Sequence, residues 1–336
     1  MLENAVEEGR CMKIAIVGFD FPDCALEEGL CRKEGIAIQR FDGKSPEYIL
    51  EHVHDVDGVI SSYGEFTDEV IKALSPRLKV ISRTGTGYDE IDVSSATKHG
   101  VAVCNVPGYG TEVVSDHAIA LALACLRRIN EQDAAMRKGQ WGYESTRPLG
   151  QRKGRVFGII GMGSIGSAVA RKAAGLGFEV VCWSRSLPAG SRSRGGYRVV
   201  ELDELARTCD VISLHTALTE ETRHLVDEWL ISLMRPETVI VNTSRGAVID
   251  TVALARALEE GRLWGAGVDV FETEPIERDD PLLKAPRTVL TPHAAYWSEE
   301  SGVELRTRAC RAAIDVLKGN VPRDCLNPKT LETNSA

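Results

Sequence analysis

The sequence predicts an α/β fold with two doubly wound parallel sheets. Short β-branched runs alternate with longer helical patterns almost from end to end, which is typical of βαβ units. A chain of 336 residues is long enough for about two domains of ordinary size. A glycine-rich turn at residues 161–166 follows a strand pattern and opens a helix pattern, as expected near the start of a second sheet.

The first predicted sheet uses four apolar runs, each followed by turn residues. They cover residues 13–17, 58–61, 79–82 and 101–105. A long buried helix over 111–129 should follow, because Thr111 can serve as its N-cap while Arg127 and Arg128 favour its last turn. Together these segments make a small α/β unit.

The second predicted sheet uses six runs, at 155–160, 179–183, 210–214, 238–242, 265–270 and 288–290. Asp250 and Gly261 stand where capping chemistry places the start and end of a further helix. A last helix is predicted over 299–317, after the strands of the second sheet. The first sheet has fewer predicted elements, so we expect this helix to pack on the first sheet. The sequence therefore predicts a discontinuous first domain, 1–106 completed by 299–336, as the substrate domain, and a dinucleotide-binding domain over 107–298.

Composition excludes several classes of protein. Apolar residues make up 43% of the chain and the net charge is −9, which favours a globular fold and works against broad binding to nucleic acid or to an anionic membrane. The longest apolar run, 118–126, is far shorter than the roughly 20 residues of a membrane span. Nine cysteines without a C-x-x-C pair predict thiols in a reducing compartment. We expect a soluble cytoplasmic protein without a metal site.

The glycine turn has the spacing of a dinucleotide-binding loop. Gly161 allows a tight turn, Gly163 allows the backbone to approach a pyrophosphate, and Gly166 allows close packing of helix on strand. Ser164 and Ile165 then lie in the first turn of the helix, whose N-terminus favours phosphate. These residues predict a nicotinamide dinucleotide cofactor.

The strand after this turn ends without the acidic residue that binds the ribose 2′-hydroxyl of NAD. Ser184, Arg185 and Ser186 stand there instead, and no acid occurs between Glu179 and Glu201. A guanidinium and hydroxyls suit a 2′-phosphate, because the planar fork of arginine matches phosphate geometry. The sequence therefore predicts that NADP(H) is preferred, with NAD(H) also possible.

Three polar segments follow strands of the second predicted sheet, at the edge where open α/β sheets bind ligands. They carry Arg245, the carboxylates Asp269 and Glu274, and His293. Arginine can bind a substrate carboxylate and polarise a carbonyl, and histidine can protonate an alkoxide near neutral pH. A carboxylate beside the histidine stabilises the protonated imidazole. These residues predict reduction of a small 2-oxo acid to a 2-hydroxy acid by hydride from the cofactor.

From about residue 79 to residue 326, the sequence resembles the D-isomer-specific 2-hydroxyacid dehydrogenase family, in the branch of phosphoglycerate dehydrogenases and C-terminal-binding proteins. The resemblance implies two Rossmann-like domains, a homodimer with residues 111–129 as the candidate contact surface, and a catalytic trio. In that trio Arg245 binds substrate, His293 is the acid/base and Glu274 assists it. Gly85 is implied to take the substrate carboxylate through backbone amides. Cofactor contacts are implied for Thr86, Thr216, Thr243 and Asp269.

A second function stays open at this point. Residues 293–299 also resemble the corresponding stretch of C-terminal-binding corepressors, which use the dinucleotide as a dimerisation ligand and bind transcription factors. The alternative is therefore a dinucleotide-sensing, protein-binding dimer. The chain lacks the long disordered tail of those proteins, so we expect the enzyme. Turnover of a 2-oxo acid separates the two.

Overall fold

Parallel strands form two sheets in the computed structural model, which describes residues 11–151 and 153–332. The chain divides into two units. One unit contains the residues up to Tyr109 together with those from Ser298 onward, and the other is the continuous stretch Gly110–Trp297. Within the part of the chain that is described, no helix is both long and apolar enough to cross a membrane.

The first unit is built on a five-stranded parallel sheet with the order β2-β1-β3-β4-β5. The chain thus begins in the middle of the sheet and winds outward in both directions. β3 and β4 are fully buried, and β1 is buried except at Lys13, because helices cover both faces. Its first elements are β1 (Lys13–Val17), α1 (Ala25–Lys33), β2 (Ala37–Phe41), α2 (Pro46–His52), β3 (Gly58–Ser61), α3 (Asp68–Leu74), β4 (Val80–Arg83), α4 (Val93–Lys98) and β5 (Ala102–Cys104).

The second unit is built on a seven-stranded parallel sheet with the order β12-β11-β10-β9-β6-β7-β8. The order reverses between β6 and β9, which makes the crevice at the carboxyl ends of these strands the expected ligand site. Its elements are α5 (Thr111–Arg127), α6 (Ile129–Arg137), β6 (Val156–Ile160), α7 (Ser164–Gly175), β7 (Glu179–Trp183), β8 (Arg198–Val199), α8 (Leu202–Thr208), β9 (Val211–Leu214), α9 (Glu228–Ser232), β10 (Val239–Asn242), α10 (Thr251–Glu259), β11 (Gly265–Val268) and β12 (Thr288–Leu290).

The last two helices, α11 (Glu299–Leu317) and α12 (Lys329–Glu332), belong to the first unit. A reciprocal capping box between Ser298 and Ser301 starts α11. The helix covers β3 and β4, and the buried Ser82 hydroxyl donates a hydrogen bond of 2.8 Å to the carbonyl of Ala309. The first sheet is therefore completed by residues that follow the whole second unit in the chain.

These observations confirm the predicted fold class of two doubly wound α/β units. The sequence patterns miss β2 and β8, because β2 is an edge strand with a mixed polar pattern and β8 has only two residues. The helix predicted over 111–129 begins at Thr111 as expected, but its predicted N-cap and its predicted end were wrong. Gly110 is its N-cap in place of Thr111, and the helix stops at Arg127 because Arg128 has a left-handed backbone (φ 50°). The Arg128 guanidinium lies 4.1 Å from the ring centre of Trp264, a contact that the local sequence does not reveal.

Candidate active site

The glycine turn between β6 and α7 has the geometry of a phosphate cradle. Gly161 has a φ of 99°, and a Cβ there would lie 2.5 Å from the carbonyl oxygen of His215. A Cβ at Gly166 would lie 1.9 Å from the Gly161 carbonyl, whereas a Cβ at Gly163 would meet no atom within 4 Å. Ser164 begins α7, and its first turn contains no acidic side chain. The open backbone at a helix N-terminus fits the pyrophosphate of a dinucleotide.

The loop after β7 carries the three residues that the sequence predicts to bind the 2′-phosphate of NADP(H). The hydroxyls of Ser184 and Ser186 lie 3.2 Å apart. Arg185 donates through Nη1 to Glu221 Oε2 at 2.7 Å and to Thr219 at 3.4 Å. Both charged side chains are largely exposed, so this ion pair contributes little energy and can be exchanged for another anion. Glu221 is a residue that the sequence analysis did not consider.

Two further loops follow strands of the same sheet: the backbone of Thr216 lies beside Gly161, and Thr243 directly follows β10. His215 precedes Thr216, and burial lowers its pKa to about 3, so its ring is neutral at physiological pH. Its Nε2 lies 2.8 Å from the Ser213 hydroxyl. The Thr243 hydroxyl is buried and finds no hydrogen-bond partner within residues 11–151 and 153–332. A buried polar atom of this kind is suited to a ligand, and with the glycine turn it makes the unit fit a dinucleotide.

Arg245 is held by a turn at the end of β10. Asn242 accepts hydrogen bonds from the backbone and hydroxyl of Ser244 at 3.0 and 2.8 Å, and its own amide donates to the Arg245 carbonyl at 2.8 Å. The next residue must be glycine, because a Cβ at Gly246 would lie 1.9 Å from the backbone of Phe271. This close approach brings the Arg245 loop against the loop that follows β11.

Glu274 and His293 form a direct pair on two neighbouring loops. His293 Nδ1 lies 2.6 Å from Glu274 Oε2, and the Phe271 N–H donates to Glu274 Oε1 at 2.9 Å. Burial is the largest single influence and opposes ionisation of Glu274, but the hydrogen bond and electrostatic attraction of His293, the Phe271 N–H and the charge of Arg245 together outweigh it. The pKa of Glu274 is therefore below its ordinary value. The structure thus brings all three residues of the predicted trio together within the second unit.

Asp269 organises the loop that carries His293. Its carboxylate is almost fully buried and accepts hydrogen bonds from the Thr291 hydroxyl at 2.5 Å and from the backbone N–H groups of Ala294 and Ala295 at 2.9 and 3.0 Å. The Asp269 carbonyl accepts from the His293 N–H at 2.7 Å. These bonds hold His293 in a left-handed backbone conformation (φ 52°), which is costly for a residue other than glycine.

Gly85 and Thr86, the predicted residues of the first unit, lie in the turn after β4. Gly85 is buried with a φ of 158°, its N–H donates to the Arg83 carbonyl at 3.0 Å, and its carbonyl accepts from Val106. The Thr86 hydroxyl donates to the Val106 carbonyl at 3.1 Å. A Cβ at Gly85 would lie 1.4 Å from the Arg83 guanidinium, so the turn folds directly over that side chain.

Comparison with known proteins identifies the family. Residues 119–295 match the family model of the NAD-binding domain of D-isomer specific 2-hydroxyacid dehydrogenases. A glyoxylate reductase of Korarchaeum cryptofilum is 39% identical over 291 residues, covering 86% of this chain and 88% of that protein. This chain belongs to the D-isomer-specific 2-hydroxyacid dehydrogenase family.

Solved structures of relatives agree with this assignment. A D-lactate dehydrogenase of Aquifex aeolicus, complexed with NAD and lactic acid, has a TM-score of 0.84 at 27% identity, covering 94% of this chain and 99% of that one. An acyclic imino acid reductase in complex with NADPH and D-arginine has a TM-score of 0.83 at 29% identity, covering 94% and 100%. Family membership confirms the resemblance found in the sequence. The chain is an NAD(P)-dependent oxidoreductase of 2-oxo and 2-hydroxy acids.

Sequence reasoning missed the residues that position the trio. Thr291 links Asp269 to His117 of α5, whose Nε2 lies 3.0 Å from the Thr291 hydroxyl and 3.6 Å from Asp269. His117 is thus part of a polar network beneath the His293 loop. Asn242 is buried and shapes the Arg245 turn. The sequence marks Thr291 and Asn242 only by their position, because both stand where strands end.

Proposed function

We propose that this protein is an NADPH-linked reductase that converts a small 2-oxo acid to the D-2-hydroxy acid. The observation that carries the proposal is the 2.6 Å contact of His293 with Glu274, with the charge of Arg245 acting on the same carboxylate. Reduction of a 2-oxo acid requires an acid/base, a protein carboxylate that orients this acid/base, and a cation for the substrate carboxylate.

Each residue has a distinct role in this reaction. Arg245 binds the substrate carboxylate and polarises the carbonyl as negative charge develops on its oxygen. His293 donates a hydrogen bond from Nδ1 to Glu274 Oε2, which leaves its Nε2 to give the proton to that oxygen. Glu274 fixes the ring orientation and stabilises the protonated ring. When bound, the reduced nicotinamide supplies the hydride that reduces the carbonyl carbon. In the opposite direction His293 accepts the hydroxyl proton.

The preference for NADPH is part of the proposal. The glycine turn and the start of α7 would hold the pyrophosphate, and the Thr216 and Thr243 loops would line the cofactor. Ser184, Arg185 and Ser186 would bind the 2′-phosphate, which replaces Glu221 as the partner of Arg185. The exposed Arg185 ion pair supports this exchange, because little energy is lost when it opens.

The substrate is proposed to carry no second anionic group. Arg83, at the end of β4, is the cation nearest to the Gly85 turn, which we propose takes the substrate carboxylate. Its Nη1 donates to the Thr84 carbonyl at 2.7 Å, its Nη2 lies 3.5 Å from Glu90, and its guanidinium lies 5.6 Å from the ring centre of Tyr63. Because Glu90 already balances this charge, glyoxylate or hydroxypyruvate suits the unit better than a phosphorylated or dicarboxylic acid.

A homodimer is also proposed. The apolar face of α5 is already buried in the core of its own unit, through Ala118, Leu121 and Cys125. None of the residues of α6 is buried, and its Ile129 and Met136 are about half exposed. Trp141, a few residues on, is 90% exposed. Large apolar side chains left in water support a contact with a second copy in this region, which light scattering of wild type and Trp141→Ala would test.

The test of the reaction is the absorbance of the reduced nicotinamide with a panel of 2-oxo acids and either cofactor. We expect turnover with NADPH, and loss of turnover with retained NADPH binding in His293→Asn. The matched control is His224→Asn, because His224 forms a similar pair with Glu272 at 2.9 Å outside the trio. That variant should stay active. Tight cofactor binding by the wild type with no turnover of any 2-oxo acid would refute the reductase and favour the dinucleotide-sensing alternative.

A further inference from the structure

Cysteines of the first unit face each other in pairs. All nine cysteines lie within the described residues, and all are thiols. The sulfurs of Cys31 and Cys310 are 3.7 Å apart and fully buried between α1 and α11. Cys104, at the end of β5, pairs with Cys325 of the segment between α11 and α12. Cys325 is only half-buried, so the second pair is the one that solvent reaches.

The backbone around the second pair fixes its geometry. The Leu326 N–H donates to the Val103 carbonyl at 2.8 Å, and the Asn105 N–H donates to the Asp324 carbonyl at 3.3 Å. These bonds lie on either side of the two cysteines, which makes them a non-hydrogen-bonded pair of antiparallel strands. In such pairs the Cα atoms are about 4.5 Å apart and the side chains lie on the same face. This separation falls within the range of disulfides, about 4.4 to 6.8 Å.

Side chains hold the segment with Cys325 against β5. Asn327 accepts from the Val103 N–H at 2.8 Å and donates to the Val101 carbonyl at 2.9 Å. Arg308 of α11 donates to the Asp324 carboxylate at 2.8 Å and to the Pro107 carbonyl at 2.9 Å. The backbone of the two cysteines is therefore held at a separation that suits a bond between their sulfurs.

We propose that Cys104 and Cys325 form a redox modification site, which closes to an intramolecular disulfide on reaction with a hydroperoxide. The Cys325 thiolate attacks a peroxide oxygen, the O–O bond breaks, and a sulfenic acid forms; when the peroxide is hydrogen peroxide, the departing hydroxide takes up the proton that the Cys325 thiol released and leaves as water. The Cys104 sulfur then attacks the Cys325 sulfur, the S–O bond breaks, and the hydroxyl leaves with the Cys104 proton as a second water. The two cysteines lose two electrons, and these reduce the peroxide.

The electrostatics of the pair give each cysteine its role. The Cys104 thiol lowers the pKa of Cys325 to about 7, with help from the backbone N–H of Asn327. Contact with Cys325 and burial raise the pKa of Cys104. Cys325 therefore reacts first, because it is both the more exposed and the more acidic thiol, and Cys104 resolves the intermediate.

The experiment treats the reduced full-length protein with hydrogen peroxide in a Cys11→Ser background, because Cys11 is exposed. Thiols are then alkylated and peptides are mapped without reduction. We expect loss of two thiols, a peptide that joins Cys104 to Cys325, and recovery of both with dithiothreitol. Cys31→Ser is the matched control and should still form the link, because Cys31 belongs to the fully buried pair.

Two variants separate the roles of the thiols. Cys325→Ser should leave Cys104 reduced, and Cys325→Ala should do the same. Cys104→Ser should trap a sulfenic acid on Cys325, detected with dimedone. The proposal is overturned if the Cys31–Cys310 peptide forms instead, if Cys325 is overoxidised while Cys104 stays reduced in the protein with both thiols, or if peroxide leaves both thiols unchanged.

Discussion

Replacing Glu274 with glutamine removes the charge beside His293 while nearly preserving the size of the side chain. The two side chains are 2.6 Å apart and only 24% and 29% exposed, so solvent screens their interaction weakly. A hydrogen bond between charged groups of this kind is worth roughly 1.5 to 3 kcal/mol, or about 10- to 150-fold. We expect kcat/KM for reduction to fall by that factor at about pH 8, and by less towards about pH 5, where protons are abundant.

The assay for Glu274→Gln is kcat/KM for a 2-oxo acid across this pH range, with NADPH affinity measured in parallel. Glu274→Asp keeps the charge and should lose less activity. Glu272→Gln removes the carboxylate of the second histidine–glutamate pair, whose contact is 2.9 Å, and should leave the pH profile unchanged. A Glu274→Gln profile parallel to that of the wild type would refute the assigned role.

The same substitution has a consequence for stability. The pKa of Glu274 is lowered from the ordinary 4.5, so its ionised form stabilises the fold above that value, and the contribution is lost as pH falls through the lowered pKa. The difference in unfolding free energy between wild type and Glu274→Gln should therefore shrink in acid. Chemical denaturation at neutral pH and at about pH 3 measures it. A difference that stays constant or grows on acidification would contradict the sign of the shift.

Further variants test three other parts of the proposal. Arg245→Ala should lower kcat/KM by roughly 100- to 1000-fold while the Kd for NADPH, followed by cofactor fluorescence, stays the same; weakened NADPH binding would contradict its role. Ser184→Asp combined with Arg185→Ala should lower the NADPH/NADH ratio of kcat/KM by about tenfold or more, and Glu221→Gln should raise it. An unchanged ratio in both would refute the 2′-phosphate site. Glu90→Gln should raise kcat/KM for oxaloacetate relative to glyoxylate by about tenfold, because the charge of Arg83 is then no longer balanced. An unchanged ratio would show that Arg83 does not influence the choice of substrate.

The fold was predictable wherever strands are buried on both faces. Central parallel strands read as continuous apolar runs, which is why β6 and the strands beside it could be placed from the sequence. β2 has the sequence Ala-Ile-Gln-Arg-Phe at an edge of its sheet and is buried only at Phe41, so no apolar run marks it. At the end of α5, Arg128 contacts Trp264, and these two residues are distant in sequence.

The candidate site was predictable at the level of loops. Placing ligands at the carboxyl ends of parallel strands was enough to select the loops of Arg245, Glu274 and His293. The supporting contacts were not predictable, since they join atoms from separate elements. Asp269 is an example, because its hydrogen bonds from Thr291 and from the backbone of the His293 loop have no signal in the sequence, and its implied nicotinamide contact stays a prediction.

The return of α11 to the first sheet has a consequence for synthesis on the ribosome. The face of β3 and β4 that α11 covers includes the buried Ser82, which bonds to Ala309, and Gly58, which lies against Leu317. This face stays uncovered until residue 317 has left the ribosome, which happens after the entire stretch Gly110–Trp297 has emerged. We therefore expect the later-made unit to fold first and the earliest-made strands to wait for their last helix, the reverse of the usual N-terminal-first order. During that interval the nascent chain exposes apolar surface that chaperones recognise.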